Sequence, residues 1–344
     1  MDDIDAISSK LGIPWETSKD ILFSFRPVFI GLIWDLRLLT VELTPARKEK
    51  YLSAIQAWST ELTHVLKQVQ ELYRKLLHSC LVLPAGCSRL VSFESMLAHG
   101  QNRPFVPRHA PAIITTHLAW WTGALRSETL RRPIPCPVTL FDAHAYLDAS
   151  SGIGITIVIG SCWQAWRLIP GWITLNGAKD IGWAEAVGFE LLVHALLTLC
   201  GHSHHYKLYG DNKGVVEGWW KGRSKNSAVN TVFQRIQDYL ASLDAAEIIH
   251  STYVPSAQNP ADKPSRGICP SNSLLLPPIT LHPDLFPFLV DSQSPLSPTE
   301  LRLHREGTYS VSASKFIINK LEAESSQREH TLQHFKEDCQ ALGL

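Results

Sequence analysis

The stretch YLDASSGIGITIVIG, residues 146–160, decides the fold of the larger part of this chain. An apolar strand stops at the turn residues Asp-Ala-Ser-Ser-Gly, and isoleucines then recur at every second position, the period of a strand. The pattern predicts a β-hairpin and places Asp148 near the end of its first strand. A carboxylate at a strand end can meet acidic groups from neighbouring elements.

The composition is that of a globular protein with room for two or three domains. Of 344 residues, 45% are hydrophobic and 9% are aromatic. The 32 basic and 32 acidic residues balance, so any site for nucleic acid or an anionic membrane has to be local. Seven scattered cysteines with no CxxC pair indicate reduced thiols rather than disulfides or a zinc ribbon.

No segment of the sequence has the pattern of a signal peptide or a membrane span. The start, MDDIDAISSK, has no apolar core, and the longest apolar run, near residues 186–200, is interrupted by Glu190 and His194. We expect an intracellular protein of the cytoplasm or nucleus that is not secreted and has no membrane partner. Nothing indicates a small-molecule cofactor or names a protein partner.

Residues 1–137 predict a small α+β region followed by a connection. Thr44 suits a helix N-cap and Pro45 the first helical position, so we expect helices at 46–58 and 66–77 after extended structure at 29–43. Residues 1–95 form this region. Six prolines punctuate the connection at 96–137, which contains one helix near 113–126.

Residues 138–267 predict an α/β domain. Strands are expected at 138–148, 152–160, 162–168, 206–209 and 247–254, and helices at 181–200, 214–220 and 228–243. Helical crossovers make the first, fourth and fifth strands parallel in a mixed five-stranded sheet with helices on both faces. Residues 268–344, rich in proline and serine, predict a linker that ends in an amphipathic helix at 313–341.

Four acidic residues fall where these elements converge. Asp148 and Asp211 end the first and fourth strands, at the edge where open α/β sheets place their sites. Glu185 is expected in the first turn of the following helix, and Asp262 opens the last helix. Four converging carboxylates repel one another unless a divalent cation neutralises them, and hard oxygen ligands suit Mg²⁺ or Mn²⁺. The cluster predicts two-metal phosphodiester chemistry.

Each acid has an ordinary explanation when taken alone. Asp148 and Asp211 suit turns, and Glu185 and Asp262 suit helix N-termini; their joint placement favours the metal site. Asp142, six residues before Asp148, would lie about 20 Å from it along a strand, and Glu190 is turned roughly 140° from Glu185 on a helix. We leave both out of the site.

Four motifs occur in an order that resembles a known family. They are YLDAS at 146–150, WAEAVGFELL at 183–192, LYGDN at 208–212 with GRSKN at 222–226, and YVPSAQNPADKPSRG at 253–267. Residues 138–267 resemble the ribonuclease H region of retroelement reverse transcriptases. The resemblance implies a ribonuclease H-like fold and cleavage of the RNA strand of an RNA/DNA hybrid with two Mg²⁺ ions. It makes Asp148, Glu185, Asp211 and Asp262 the catalytic and metal-binding acids.

The upstream region is similar to the segment that follows the polymerase palm in these elements, through FIGLIWDLRLLTVELTPARKEKYLSAIQAW at 29–58. No Tyr-x-Asp-Asp occurs in the chain, so the polymerase site cannot be assembled. We therefore expect a fragment: a post-palm, thumb-like remnant at 1–95, a connection at 96–137, the nuclease at 138–267 and a linker at 268–344.

The expected nucleic-acid contact is the segment 218–226, together with Asn212. Cations beside tryptophans can supply phosphate contacts and an aromatic platform. The equally ordinary alternative is a tryptophan-anchored helix end whose cations match the helix dipole. A hybrid is recognised through shape and 2′-OH contacts, so no base-reading motif is expected. The residues assigned to this contact are Asn212, Trp219, Trp220, Lys221, Arg223 and Lys225.

One departure from the family pattern leaves the function open. Many members carry a histidine, thought to assist turnover, where this chain has residues 255–258, PSAQ. His202, His204 and His205 suit a solvated loop better than a zinc site. The leading hypothesis is an active nuclease, and the alternative is a catalytically degenerate, retroelement-derived nucleic-acid-binding protein. A non-catalytic helical interaction module has no positive motif behind it.

Overall fold

The computed structural model describes residues 2–12, 23–151, 154–174 and 178–305. The helix predicted at 313–341 lies outside these residues. The helices in chain order are α1 (Asp2–Lys10), α2 (Pro45–Ser59), α3 (Leu66–Ser79), α4 (Val91–Gly100), α5 (Ala112–Arg126), α6 (Ile181–Cys200), α7 (Lys213–Trp220), α8 (Ser227–Ser242), α9 (Asp262–Ser265) and α10 (Pro298–Arg305). The strands are β1 (Val28–Phe29), β2 (Leu32–Asp35), β3 (Thr40–Leu43), β4 (Thr63–His64), β5 (Arg108–His109), β6 (Arg132–Pro133), β7 (Leu140–Ala149), β8 (Gly154–Ile159), β9 (Cys162–Leu168), β10 (His205–Gly210), β11 (Ile249–Tyr253) and β12 (Leu289–Asp291).

These residues divide into two compact units. The first contains the described residues up to Leu83 together with Gly100–Cys136, and the second contains Pro84–His99 together with those from Pro137 onward. In the first unit, Thr44 caps α2 by accepting from the Arg47 N–H, and Pro45 takes the first helical position. Both features were predicted from the sequence, and both fix where α2 begins.

The second unit is built on a mixed sheet with the strand order β11-β10-β7-β8-β9-β12. Strands β7, β8 and β9 pair antiparallel, whereas β10 pairs parallel with both β7 and β11. The predicted parallel arrangement of the first, fourth and fifth strands, and the mixed α/β class, are confirmed. The sheet has six strands rather than five, because β12 adds to its edge beside β9.

Helix α6 forms the core layer on one face of this sheet, and its bounds are those predicted. Asp180 caps it by accepting from the Trp183 N–H at 3.0 Å. Among the described helices, α6 alone is long and apolar enough to cross a membrane, but 78% of its most apolar window is buried inside the protein. A core helix meets the same criteria of length and composition.

Helix α6 packs closely against the sheet at Gly188. A Cβ atom at this position would lie 3.0 Å from Ile155 Cγ2 and 3.4 Å from Leu147 Cδ1. The side chain of a larger residue would therefore press on the two central strands. This close approach also sets the distance from the sheet of Glu185, which lies one turn earlier on the helix.

The opposite face is covered by short elements. Ala261 and Leu275 pack with Val158, Trp163 and Ala165 in a separate buried cluster. Helices do lie on both faces, as predicted, but α9 is a single turn.

Residues 268–305 were predicted to form a linker, and this prediction is wrong for the described part. The segment runs along β9, where Leu276 N–H donates to Trp163 O at 2.8 Å and Ser292 N–H donates to Ala165 O at 3.1 Å. Arg167, 1% exposed, pairs with the fully buried Glu300 at 3.1 Å. The segment therefore forms a strap that follows β9, and its short strand β12 forms the edge of the sheet on this side.

Residues 84–99 belong to the second unit, whereas the sequence placed them mainly with the first. Arg89 donates to both carboxylate oxygens of Asp238 on α8, at 2.7 and 2.8 Å. Ser88 donates to Gln237 of the same helix at 2.9 Å. These partners lie 149 residues apart in sequence, so no local pattern could reveal them.

We expect Gly188→Ala to lower the free energy of unfolding by about 1–3 kcal/mol, because the methyl group would press on Ile155. Gly123→Ala, in α5, is the matched control, since nothing lies within 4 Å of its added Cβ; it should leave stability unchanged or raise it by up to about 1 kcal/mol. Denaturant unfolding of the two variants measures this, and equal shifts would contradict the close packing.

We expect Glu300→Ala to cost about 3 kcal/mol or more, because it leaves the Arg167 guanidinium buried without its carboxylate. Glu217, which pairs with Lys221 at 2.8 Å on an exposed surface, is the control. Glu217→Ala should change stability by less than about 0.5 kcal/mol. Urea titration of both variants decides whether the strap is an integral part of the unit.

Candidate metal centre

Two aspartates meet at the carboxyl ends of neighbouring parallel strands. Asp148 is the last residue but one of β7, and Asp211 directly follows β10. Because Tyr146 pairs with Tyr209 in the parallel register, both acids reach the same edge of the sheet. The sequence predicted this meeting from the crossover connections.

Glu185 reaches the same point from α6. The helix begins at Ile181, so Glu185 opens its second turn. The sequence had predicted Glu185 in the first turn. Its Oε1 accepts from the Ala149 N–H at 3.2 Å, and its Oε2 is buried without a hydrogen-bond partner. A buried carboxylate oxygen with no donor is available to a cation.

The three carboxylates form one group. One oxygen from each of Asp148, Glu185 and Asp211 lies within 4.8 Å of the others. Asp148 and Glu185 are each 4% exposed, and Asp211 is partly exposed. The group could hold a metal ion, and all its donors are the hard oxygens that Mg²⁺ and Mn²⁺ prefer.

Burial and mutual repulsion raise the pKa of two of these groups. Burial is the largest cause for Asp148; the nearby charges of Asp211 and Asp262 add to it, and a hydrogen bond from Ser265 opposes it. The pKa of Asp148 rises to about 7. Burial, with the charges of Asp148 and Asp211, holds the pKa of Glu185 well above its ordinary value. The site therefore binds protons in the absence of a compensating cation.

Asp262 lies near this group but outside it. As predicted, it opens α9, and its charge contributes to the raised pKa of Asp148. Its Oδ1 accepts from Arg266 Nε at 3.0 Å and from Nη2 at 2.9 Å. The structure thus brings together three of the four predicted acids and pairs the fourth with a cation.

The two acids omitted from the predicted site have other partners. Asp142 accepts a hydrogen bond from the Tyr209 hydroxyl. Glu190 forms a two-pronged ion pair with Arg235, with Nε···Oε1 at 2.7 Å. Neither belongs to the acidic group.

The aromatic residues of the expected nucleic-acid contact differ in position. Trp219 packs against Phe189 and Phe233 and donates from Nε1 to Ile249 O at 3.0 Å. Trp220 is 76% exposed, although its Nε1 donates to Ser251 O at 2.8 Å. Trp219 thus anchors α7, and Trp220 presents a ring to solvent.

The polar residues of that contact are also divided. Lys221 pairs with Glu217 at 2.8 Å, and Arg223 contacts Glu94. Lys225 is exposed. Asn212 caps α7 by accepting from the Val215 N–H, an ordinary structural role. The ion pairs reduce the net positive charge that this segment offers to phosphates.

Two serines of the site were missed by the sequence analysis. Ser265 donates to Asp148 Oδ2, and Ser256 donates to Asp211 Oδ2. Both lie in the motif at 253–267. The available signal was the spacing of Ser265, three residues after Asp262, since residues three apart on a helix share a face.

We expect Mg²⁺ to stabilise the folded chain more at pH 8 than at pH 6, because the cation competes with protons. The pKa of Asp148 is higher in the folded chain, about 7, than in the unfolded chain, near 4. Protonation of Asp148 therefore contributes to folding stability fully below about pH 4, and this contribution is lost as the pH rises through about 7. Without metal, Asp148 alone should lower stability by about 1 kcal/mol between pH 6 and pH 8. Saturating Mg²⁺, at about 100 times its Kd, should restore roughly 2.7 kcal/mol.

Thermal unfolding in Mg²⁺ and in chelator, at both pH values, measures this. Asp148→Asn should abolish the response to Mg²⁺ and flatten the pH dependence, and Asp142→Asn should change neither. An Mg²⁺ response that survives in Asp148→Asn would rule out this metal centre.

The chain matches no protein-family model. It also matches no curated protein.

Proposed function

We propose that this protein is a metal-dependent endonuclease of the ribonuclease H type, derived from a retroelement polyprotein, that hydrolyses the RNA strand of RNA/DNA hybrids. The observation that carries the proposal is the convergence of Asp148, Glu185 and Asp211 within 4.8 Å. Three carboxylates at such a distance, two of them buried, suit a divalent-metal site.

The topology supports a ribonuclease H-like reading of the mixed sheet. An antiparallel meander of β7, β8 and β9 is extended from β7 by the parallel strands β10 and β11. The acids lie near the end of the first strand of the sheet, within the first core helix and directly after the fourth strand, in the order of the motifs that carry the family resemblance. That resemblance, the order of the acids and their convergence support the same function.

The chain's own groups would hold the cations and fix their positions. Asp148, Glu185 and Asp211 would bind two Mg²⁺ ions, for which Mn²⁺ could substitute. Bound cations of this kind activate water for attack on a phosphodiester and stabilise the leaving 3′ oxygen. The Ala149 N–H orients Glu185, and burial of this carboxylate keeps bulk water from one side of the centre.

Cations beside the centre support a nucleic-acid substrate. The hydrogen bond to Asp262, then the charge of Asp262 and to a smaller extent those of Asp148 and Asp211, raise the pKa of Arg266, whose side chain is 64% exposed. Lys213, at the start of α7, lies 4.9 Å from the ring centroid of Tyr253. Exposed cations next to a metal centre can contact phosphates and hold a duplex across it.

One observation favours the catalytically degenerate alternative. The Asp262 carboxylate is occupied by Arg266, so the fourth acid of the family pattern does not join the group. Under that alternative the protein binds a hybrid and leaves it intact. Binding and cleavage therefore have to be measured on the same preparation.

We expect the purified chain, in Mg²⁺, to shorten the labelled RNA strand of an RNA/DNA hybrid and to spare the DNA strand. Asp148→Asn and Glu185→Gln should each lower the rate at least about 100-fold, because each removes a metal ligand. Asp142→Asn, on the same strand as Asp148, should retain the rate of the unchanged chain.

Gel analysis of the two strands, with duplex DNA and duplex RNA as further substrates, gives the result. If the unchanged chain binds the hybrid but cleaves it no faster than Asp148→Asn does, the nuclease proposal is overturned and the degenerate alternative is supported.

A further inference from the structure

We infer that Ser265 is a positioning residue that orients Asp148 for the metal, with Ser256 acting in the same way on Asp211. The inference rests on the proposed metal site and assigns roles to two residues outside the group of ligands. The segment that follows β11 then orients two of the three carboxylates through hydrogen bonds.

One oxygen of each carboxylate in the group accepts a hydrogen bond from the protein. Glu185 accepts from a backbone N–H, whereas Asp148 and Asp211 accept from the hydroxyls of Ser265 and Ser256. A donor on one oxygen fixes the rotation of the carboxylate and thereby the direction of its other oxygen. Both serine donors come from residues 256–265.

Ser265 is buried and is hydrogen-bonded through both its carbonyl and its hydroxyl. The residue is 1% exposed, and its carbonyl accepts from the Ser150 hydroxyl at 2.6 Å. Its Oγ also lies 2.9 Å from Asp262 O. A hydroxyl has one hydrogen, so Oγ donates to one of these two acceptors at a time. The Asp148 carboxylate is the stronger acceptor when it is ionised.

The segment is tied to the strand that carries Asp148. Asn259, 5% exposed, donates from Nδ2 to Leu147 O at 2.8 Å, and its Oδ1 accepts from the Ala261 N–H at 3.1 Å. This side chain connects residue 259 to the residue next to Asp148. Because the Asn259 amide ties the segment to the peptide next to Asp148, the Ser265 hydroxyl is already placed close to the Asp148 carboxylate.

The test measures Mn²⁺ binding to the full chain. The electron paramagnetic resonance signal of the free ion reports the binding, and this readout does not depend on nuclease activity. Ser265→Ala should weaken Mn²⁺ binding about tenfold or more, the range found for groups that orient metal ligands. Ser265→Thr keeps the hydroxyl and should retain most of the affinity. Ser256→Ala, on an exposed segment where folding is not at risk, should weaken binding by a smaller factor, because water can replace its donor.

Ser251→Ala is the matched control. Ser251 is also 1% exposed in the same unit, but its hydroxyl donates to a backbone carbonyl, Val216 O, at 2.9 Å. This variant should lose stability while keeping its affinity for Mn²⁺. An unchanged affinity in Ser265→Ala, or an equal loss in Ser251→Ala, would overturn the positioning role.

The proposed function and this inference fail in different ways. If the unchanged chain does not bind Mn²⁺, the metal site itself is overturned, and the positioning role with it. If the chain binds Mn²⁺ and Ser265→Ala binds it about tenfold more weakly, the positioning role is supported even where no hybrid is cleaved.

Discussion

Burying Asp148 and Glu185 beside Asp211 is unfavourable unless a positive charge compensates them, and the architecture around them can be understood from this constraint. Water does not solvate the two buried carboxylates, and each feels the charge of the others. The raised pKa values express this cost as an affinity for protons. A divalent cation would remove the same cost by direct coordination, which links the stability of this edge of the sheet to metal and to pH.

The elements around the site are closely packed and paired, and this packing keeps the carboxylates together. Helix α6 packs closely on the sheet at Gly188, beside Ile155 and Leu147, and Glu185 one turn earlier accepts a hydrogen bond from the backbone of Ala149 at the end of β7. The parallel pairing of β7 with β10 fixes Asp148 relative to Asp211. The strap along β9 is held to the sheet by the buried pair of Arg167 and Glu300. Preorganised ligands of this kind favour a metal ion over solvent.

Much of the second unit was predictable because its signals are local. Asp180 and the residues after it mark the start of α6, and alternating isoleucines mark β8. The crossover rule then places Asp148 beside Asp211. The six-stranded sheet and the packing of residues 84–99 were not predictable, because a three-residue strand and a pair such as Arg89 with Asp238 depend on contacts between distant segments. The pairing of Asp262 with Arg266, in contrast, has the i,i+4 spacing of a helical ion pair, and the sequence analysis overlooked it.

The state of Asp262 separates a centre of three acids from one of four. An arginine four residues away, Arg266, pairs with this carboxylate, and a bound cation would compete with the arginine for it. The most direct test is the anomalous scattering of Mn²⁺ in a crystal of this chain. We predict peaks in contact with oxygens of Asp148, Glu185 and Asp211. Mn²⁺ that bound only elsewhere, with these three carboxylates uncoordinated at pH 8, would contradict the account.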